Sequence, residues 1–204
     1  MDEKKLDILE RSAGVFLRLG IKSVTMDDLA RELGISKKTI YKYFTDKNDL
    51  IISIIKLKVS EDCDTVNQCS KDENAIEEFF ATSEFIMEQL KNVTPTVFFD
   101  LKKYYPQAWE LMENHKWDFV RNLVKNNIER GIEEGLYRKN ADPLILSGFY
   151  VSATETIMNS QLFPWPQYKF QDVYMQMLLH HLFGLANNKG REYLKQRLKN
   201  DQND

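Results

Sequence analysis

Three helix-start signals crowd into residues 25 to 49, and they leave little freedom in how the chain begins to fold. Thr25 is followed three residues on by Asp28, the spacing at which a capping hydroxyl and an acidic side chain each satisfy the other's backbone amide. Val24 and Leu29 flank this pair and can close a hydrophobic staple. Ser36 repeats the device, with Ile35 before it and Ile40 at the fourth helical position. Asp46 with Asp49 then opens a longer helix carrying Leu50, Ile51, Ile54, Ile55 and Leu57. Ahead of all three, Leu6, Leu9, Ala13, Phe16 and Leu17 follow helical spacing as far as Gly20, and Gly34 ends the brief second helix. Short capped helices joined through a glycine turn are the pattern of a helix-turn-helix.

The rest of the chain continues in the same manner. Pro and Gly number only 5 and 8, and no segment sustains period-two alternation, so the expected fold class is all-α. Helical runs are expected near residues 74–92, 95–102, 105–134, 142–160 and 168–187, punctuated by Pro95, Pro106, Gly135, Pro143, Pro164 and Pro166. The polar stretch SEDCDTVNQCSKDEN reads as a frayed helix end and connector, and the tail GREYLKQRLKNDQND as a helical turn or two before a solvated end. This reading gives an N-terminal helix-turn-helix domain over residues 1–48 and a C-terminal helical bundle over 49–204. Hydrophobic residues at 43% are enough to furnish a core for both.

Several function classes find no support. Cys63 and Cys69 lack the CxxC spacing and nearby histidines of a zinc or redox site, and read as reduced cytosolic thiols. The first fourteen residues contain no uninterrupted apolar block and nothing downstream approaches a membrane span, so the expected location is cytoplasmic. Phosphate-loop, dinucleotide, HExxH and nucleophile-elbow motifs are missing, and the adjacent His180 and His181 point in different directions on a helix. No enzyme activity, metal or cofactor is expected.

Charge distribution is more informative than the formal net charge of −3. Residues 1–50 hold 10 basic and 9 acidic side chains, against 18 and 22 in residues 51–204. Between Ser36 and Lys47 only Asp46 opposes Lys37, Lys38, Lys42 and Lys47. If Ile40 and Phe44, four apart, anchor the third helix, then Lys37, Lys38, Tyr41 and Lys42 point away from the core. Lysines can meet phosphates or guanine acceptors, and tyrosines can touch thymine methyls or give a hydroxyl to phosphate. Ser36 and Thr39 add hydroxyls and amides at a helix start. Any one of these side chains could simply be solvated; the sign, the side-chain choice and the capped helix before them agree on DNA.

The segment TMDDLARELGISKKTIYKYFTDKNDL resembles the DNA-binding module of the TetR (tetracycline-repressor) family of transcriptional regulators, over roughly residues 6–52. The resemblance implies that Thr25, Thr39, Tyr43 and Lys47 hold phosphates while Ser36, Lys37, Lys38 and Tyr41 lie against bases. One short helix makes only a few base contacts at roughly 1–3 kcal/mol each, so two copies are needed. A two-fold dimer places its reading helices about 34–36 Å apart on a palindromic operator.

Residues 144–158 and 173–185 are apolar on most of their circumference, which suits burial against the chain's own bundle and against a second copy. Pairing through the last two long helices, near 142–160 and 168–187, is also what the resemblance implies. Seven aromatics between residues 98 and 119 read first as core. The family's regulatory domain, a helical box around an effector pocket, implies a second role for Phe98, Phe99, Trp109 and Trp117. Glu84, Asp100, His115 and Glu155 then serve as polar groups that orient an aromatic or lipophilic small molecule. The expected function is therefore a ligand-released repressor; a DNA-binding or adaptor protein without a small-molecule switch is the alternative.

Overall fold

The computed structural model describes residues 2–68, 74–91, 93–157, 159, 161–164 and 167–200. The chain divides into two compact units, Met1–Asp64 with Asn92–His115, and Thr65–Lys91 with Lys116–Asp204. The first 48 residues therefore do not stand alone in packing terms: they share a unit with the next helix and with two helices that follow residue 92.

The first unit holds α1 (Glu3–Leu19), α2 (Met26–Leu33), α3 (Lys37–Tyr41), α4 (Lys47–Gln68, of which residues through 64 belong here), α6 (Pro95–Tyr104) and α7 (Pro106–Asn114). One apolar cluster joins them: Leu9, Phe16, Leu29, Ile40, Phe44 and Leu50 pack with Val97, Leu101 and Ala108 of α6 and α7. Because α1 is enclosed by several helices, its buried arc is wider than the expected stripe. Ile8 and Val15 are buried beside Leu9 and Phe16, whereas Leu6, Ala13 and Leu17 are only partly covered. Gly20 closes α1 at φ +83°, a positive value that side chains rarely adopt.

The second unit holds α5 (Ala75–Leu90), α8 (Arg121–Glu133), α9 (Pro143–Ile157), α10 (Phe170–Leu185) and α11 (Asn188–Asn200) around Ile76, Phe79, Ile128, Tyr137, Val151, Leu178, Leu182 and Leu194. The run expected as one helix over 105–134 is helical almost throughout, but a π-helical turn at His115–Val120 separates α7 from α8. α4 continues to Gln68 into the stretch read as a connector, while Cys69 lies outside the described residues. The tail differs more. It forms the 13-residue α11, with Leu194 fully buried, Arg197 paired to Glu77 at 3.1 Å, and Tyr193 accepting from Asn74 at 3.0 Å. Partners more than a hundred positions away convert a polar tail into a packed helix. Among the described residues no helix is long and apolar enough to cross a membrane.

Gly131 of α8 is required by its neighbour. A Cβ there would lie 2.2 Å from the ring of Tyr137, which is fully buried and donates its hydroxyl to Asn127 at 3.2 Å. Gly131→Ala is expected to destabilise the chain by about 1–3 kcal/mol through overpacking, read as a lower midpoint in thermal unfolding. Gly14→Ala, with open space around it, is the control and should be neutral or stabilising.

Candidate nucleic-acid interface

The local chemistry of residues 25–44 sets up the surface. Thr25 and Asp28 form the reciprocal capping box: the Asp28 amide donates to Thr25 Oγ1 at 3.2 Å, and the Thr25 amide donates to Asp28 Oδ2 at 3.0 Å. The Thr25 hydroxyl donates to the same carboxylate oxygen at 2.7 Å, and these bonds hold the Asp28 carboxyl below its ordinary range. Gly34, left-handed at φ +66°, ends α2 and turns the chain. Ser36 Oγ accepts the Thr39 amide at 3.1 Å and starts α3, a helix of five residues.

α3 is fixed from beneath by Ile40 and Phe44, exposed by 0% and 1%. Ser36, Lys37, Lys38, Tyr41 and Lys42 consequently face outward, with Thr39 and Tyr43 half-buried beside them. Tyr41 is 44% exposed, so its ring is open to a partner. The lysines are ordered by the rings: Lys37 sits 5.9 Å from the Tyr41 centroid and Lys42 sits 5.2 Å from that of Tyr43. Lys37 also pairs with Asp27 of α2 at 2.6 Å, which raises its pKa further. No local sequence rule pointed to that tether, because it joins two helices across the turn.

Lys47, grouped by resemblance with the phosphate-holding residues, lies differently. Its ammonium donates to the Ile21 carbonyl at 2.5 Å and lies 5.7 Å from the centroids of both Phe16 and Tyr105. Burial pushes its pKa down against the pull of Asp100 and Asp28. Asp100, read as a ligand-orienting group, is buried on α6, and its Oδ2 accepts the Lys22 amide at 2.8 Å. The Ile21 carbonyl and the Lys22 amide are the two ends of one peptide group. α4 holds one end and α6 the other. Tyr104 of α6 adds a hydrogen bond at 2.9 Å with the Lys22 ammonium.

The eight expected pocket residues are divided between the units, with Asp100 in the first. Phe98, Phe99, Trp109 and His115 belong to the first, and Glu84, Trp117 and Glu155 to the second. Phe99 is 56% exposed, Glu84 and Glu155 are exposed, and Trp109 packs against the first unit's core. Within the second unit lies a narrow cleft open to solvent, with about 20 Å³ of enclosed volume, lined by Phe79, Ser83, Ile86, Val120, Leu123 and Tyr150 among others. None of the eight lines it. Two of its lining residues, Ser83 and Tyr150, belong to a buried hydroxyl chain in which Tyr150 and Tyr174 are 2.9 Å apart and Tyr174 donates to Ser83 at 3.4 Å. Only apolar spacing marks Phe79, Ser83 and Tyr150 in the sequence, so they read as ordinary core.

Residues 8–54 match the family model described as bacterial regulatory proteins, tetR family. Over 167 residues the chain is 21% identical to YfiR, an uncharacterized HTH-type transcriptional regulator of Bacillus subtilis (strain 168), covering 79% of this chain and 82% of that one. Among solved structures it is similar to the fatty acid degradation regulator FadR from Bacillus halodurans, with a TM-score of 0.71 and 17% identity over 91% of this chain and 97% of that chain. It is also similar to a transcriptional regulator from Saccharomonospora viridis in complex with choline, at TM-score 0.74 and 19% identity over 92% and 100% of the two chains.

The clasp on the peptide between Ile21 and Lys22 yields a stability test. Asp100→Ala leaves the Lys22 amide without its buried acceptor, and should cost about 1–3 kcal/mol in thermal or urea unfolding. Asp100→Asn keeps an oxygen in place and should recover most of that loss.

Proposed function

We propose that this chain is a transcriptional regulator of the TetR family, and that it binds a palindromic operator as a homodimer, represses there, and is released by a small apolar effector. The observation that carries the reading is α3: five outward side chains able to meet bases or phosphates, mounted on two fully buried anchors. In this reading Ser36, Lys37, Lys38 and Tyr41 read bases, while Thr25, Thr39, Lys42 and Tyr43 hold the backbone. Lys47 contributes by fixing the turn ahead of α2. Residues 1–48 serve as the reading head, and the protein acts in the cytoplasm.

The dimer reading is supported by α9. Leu144, Ile145 and Phe149 are 54%, 56% and 66% exposed; Ile145 and Phe149, four apart, share one face, and Leu144 adjoins it. Three large apolar side chains together in water favour a covering surface, and a second copy of α9 and α10 supplies it in a four-helix arrangement.

The cleft supports the effector reading. Its almost wholly apolar lining suits a lipophilic molecule, which the helices would have to part to admit. Its one carboxylate, Glu78, is already paired with Arg130 at 2.6 Å, so an uncharged ligand meets no unmatched charge there. The choline complex of a protein with the same fold is consistent with small-molecule control. α5 lines the cleft and leads along the chain into α6, which carries Asp100. An effector that favours a displaced α6 would loosen the clasp on the turn before α2 and shift the population away from the DNA-binding form.

Selection of bound sequences from random duplexes, followed by salt titration, tests the assignment. Lys38→Ala and Tyr41→Ala should each change the selected sequence, at about 1–3 kcal/mol per affected position. Lys42→Ala should weaken all duplexes alike and flatten the salt slope by about one unit. Identical behaviour of all three would remove the division between reading and holding residues.

Phe149→Glu should convert the dimer to a monomer in sedimentation velocity and abolish operator binding at the same chain concentration. An unchanged dimer would show that the α9 face is not the pairing surface.

A further inference from the structure

Cys63 is not an isolated thiol. On α4 its Sγ lies 3.9 Å from Nδ1 of His115, a residue 52 positions later, and Nε2 of the same ring faces Asp62 Oδ2 at 3.8 Å. All three groups belong to the first unit. His115 stands where α7 gives way to the π-helical turn, an irregularity often found at functional positions. Cys63 is only half-buried.

The protonation states suit one another. Burial holds the His115 pKa below that of an ordinary histidine, so at neutral pH the ring is uncharged and one nitrogen carries a lone pair. A proton on Nε2, facing the Asp62 carboxylate, leaves that lone pair on Nδ1, toward the thiol. Asp62 is pushed up to about 6 by burial, with Lys58 lowering it and Glu61 raising it, and is mostly ionised at pH 7. Above that value the carboxylate favours this tautomer; below it the preference fades. A thiol, a base to take its proton and an acid to orient the base form the constellation that activates nucleophilic cysteines.

We propose that Cys63 is a covalent modification site for soft, uncharged electrophiles of the α,β-unsaturated carbonyl class. His115 Nδ1 takes the thiol proton, and the sulfur lone pair forms a carbon–sulfur bond at the β-carbon of the acceptor. The displaced π electrons give an enolate, which recovers the proton from the His115 imidazolium at the α-carbon. The net change is addition of S–H across C=C, with no oxidant or reductant required. The site does not depend on the operator or on the cleft, and it stands if either of those readings fails.

The full-length chain carrying Cys69→Ser leaves Cys63 as its one thiol. Reaction with 2-cyclohexenone is followed by intact mass across pH, alongside the same chain carrying His115→Gln or Asp62→Asn, each checked for helix content. The expected profile for Cys63 rises with an apparent pKa below the ordinary thiol value near 8.5, and the pH 7 rate falls about fivefold or more in His115→Gln. Asp62→Asn should remove the loss of rate near pH 6. A profile of the unmodified site that inflects at the ordinary value overturns the proposal even if both variants misfold. Equal rates in a folded His115→Gln chain overturn it as well.

Discussion

The peptide group between Ile21 and Lys22 is the joint on which the first unit turns. It lies in the bend between α1 and α2, where neither end can be satisfied by a helix. Lys47, the first residue of α4, takes the carbonyl, and Asp100 of α6 takes the amide. Both bonds are part-buried, so breaking either costs more than losing a helix-surface contact would. α2 and α3 are in turn hung from this bend by Val24, Leu29 and Ile40, all buried. The position of the DNA-facing surface is thus set by a helix some eighty residues further along the chain.

Much of this was legible in the sequence because it is local. The capping box at Thr25 and Asp28, the Ser36 cap, the left-handed Gly34 and the two anchors of α3 are all decided by residues within a few positions of one another. What escaped was non-local. Lys47 carries the charge and position of a phosphate ligand, yet Phe16, Tyr105 and the Ile21 carbonyl draw it inward. α11 looked like a solvated tail since its stabilising partners, Glu77 and Asn74, belong to α5. The π-helical turn slips the phase of the helical repeat, so counting by 3.6 through residues 105–134 misjudges which aromatics after His115 are covered. Trp117 accordingly remains 39% exposed.

The candidate pocket shows a related limit. Large aromatics attracted attention between residues 98 and 119, while the described cleft is lined from α5, α8 and α9, with Phe79 and Tyr150 as its rings. Tyr150 and Tyr174 sit in strongly apolar runs and their hydroxyls need partners; each finds the other. Burial pushes both phenols upward, which keeps them neutral donors at any physiological pH.

The bond between Lys37 and Asp27 has a bearing on how the surface senses ionic conditions. A lysine with no companion sheds only loosely held counterions when it reaches a phosphate. In the proposed complex Lys37 would instead give up the Asp27 carboxylate, so its approach to a polyanion becomes a swap of one fixed anion for another. Such a residue adds geometric selectivity while contributing less than a full counterion to the thermodynamics of the encounter. The number of lysines on α3 therefore overstates how steeply the complex will weaken as electrolyte is added.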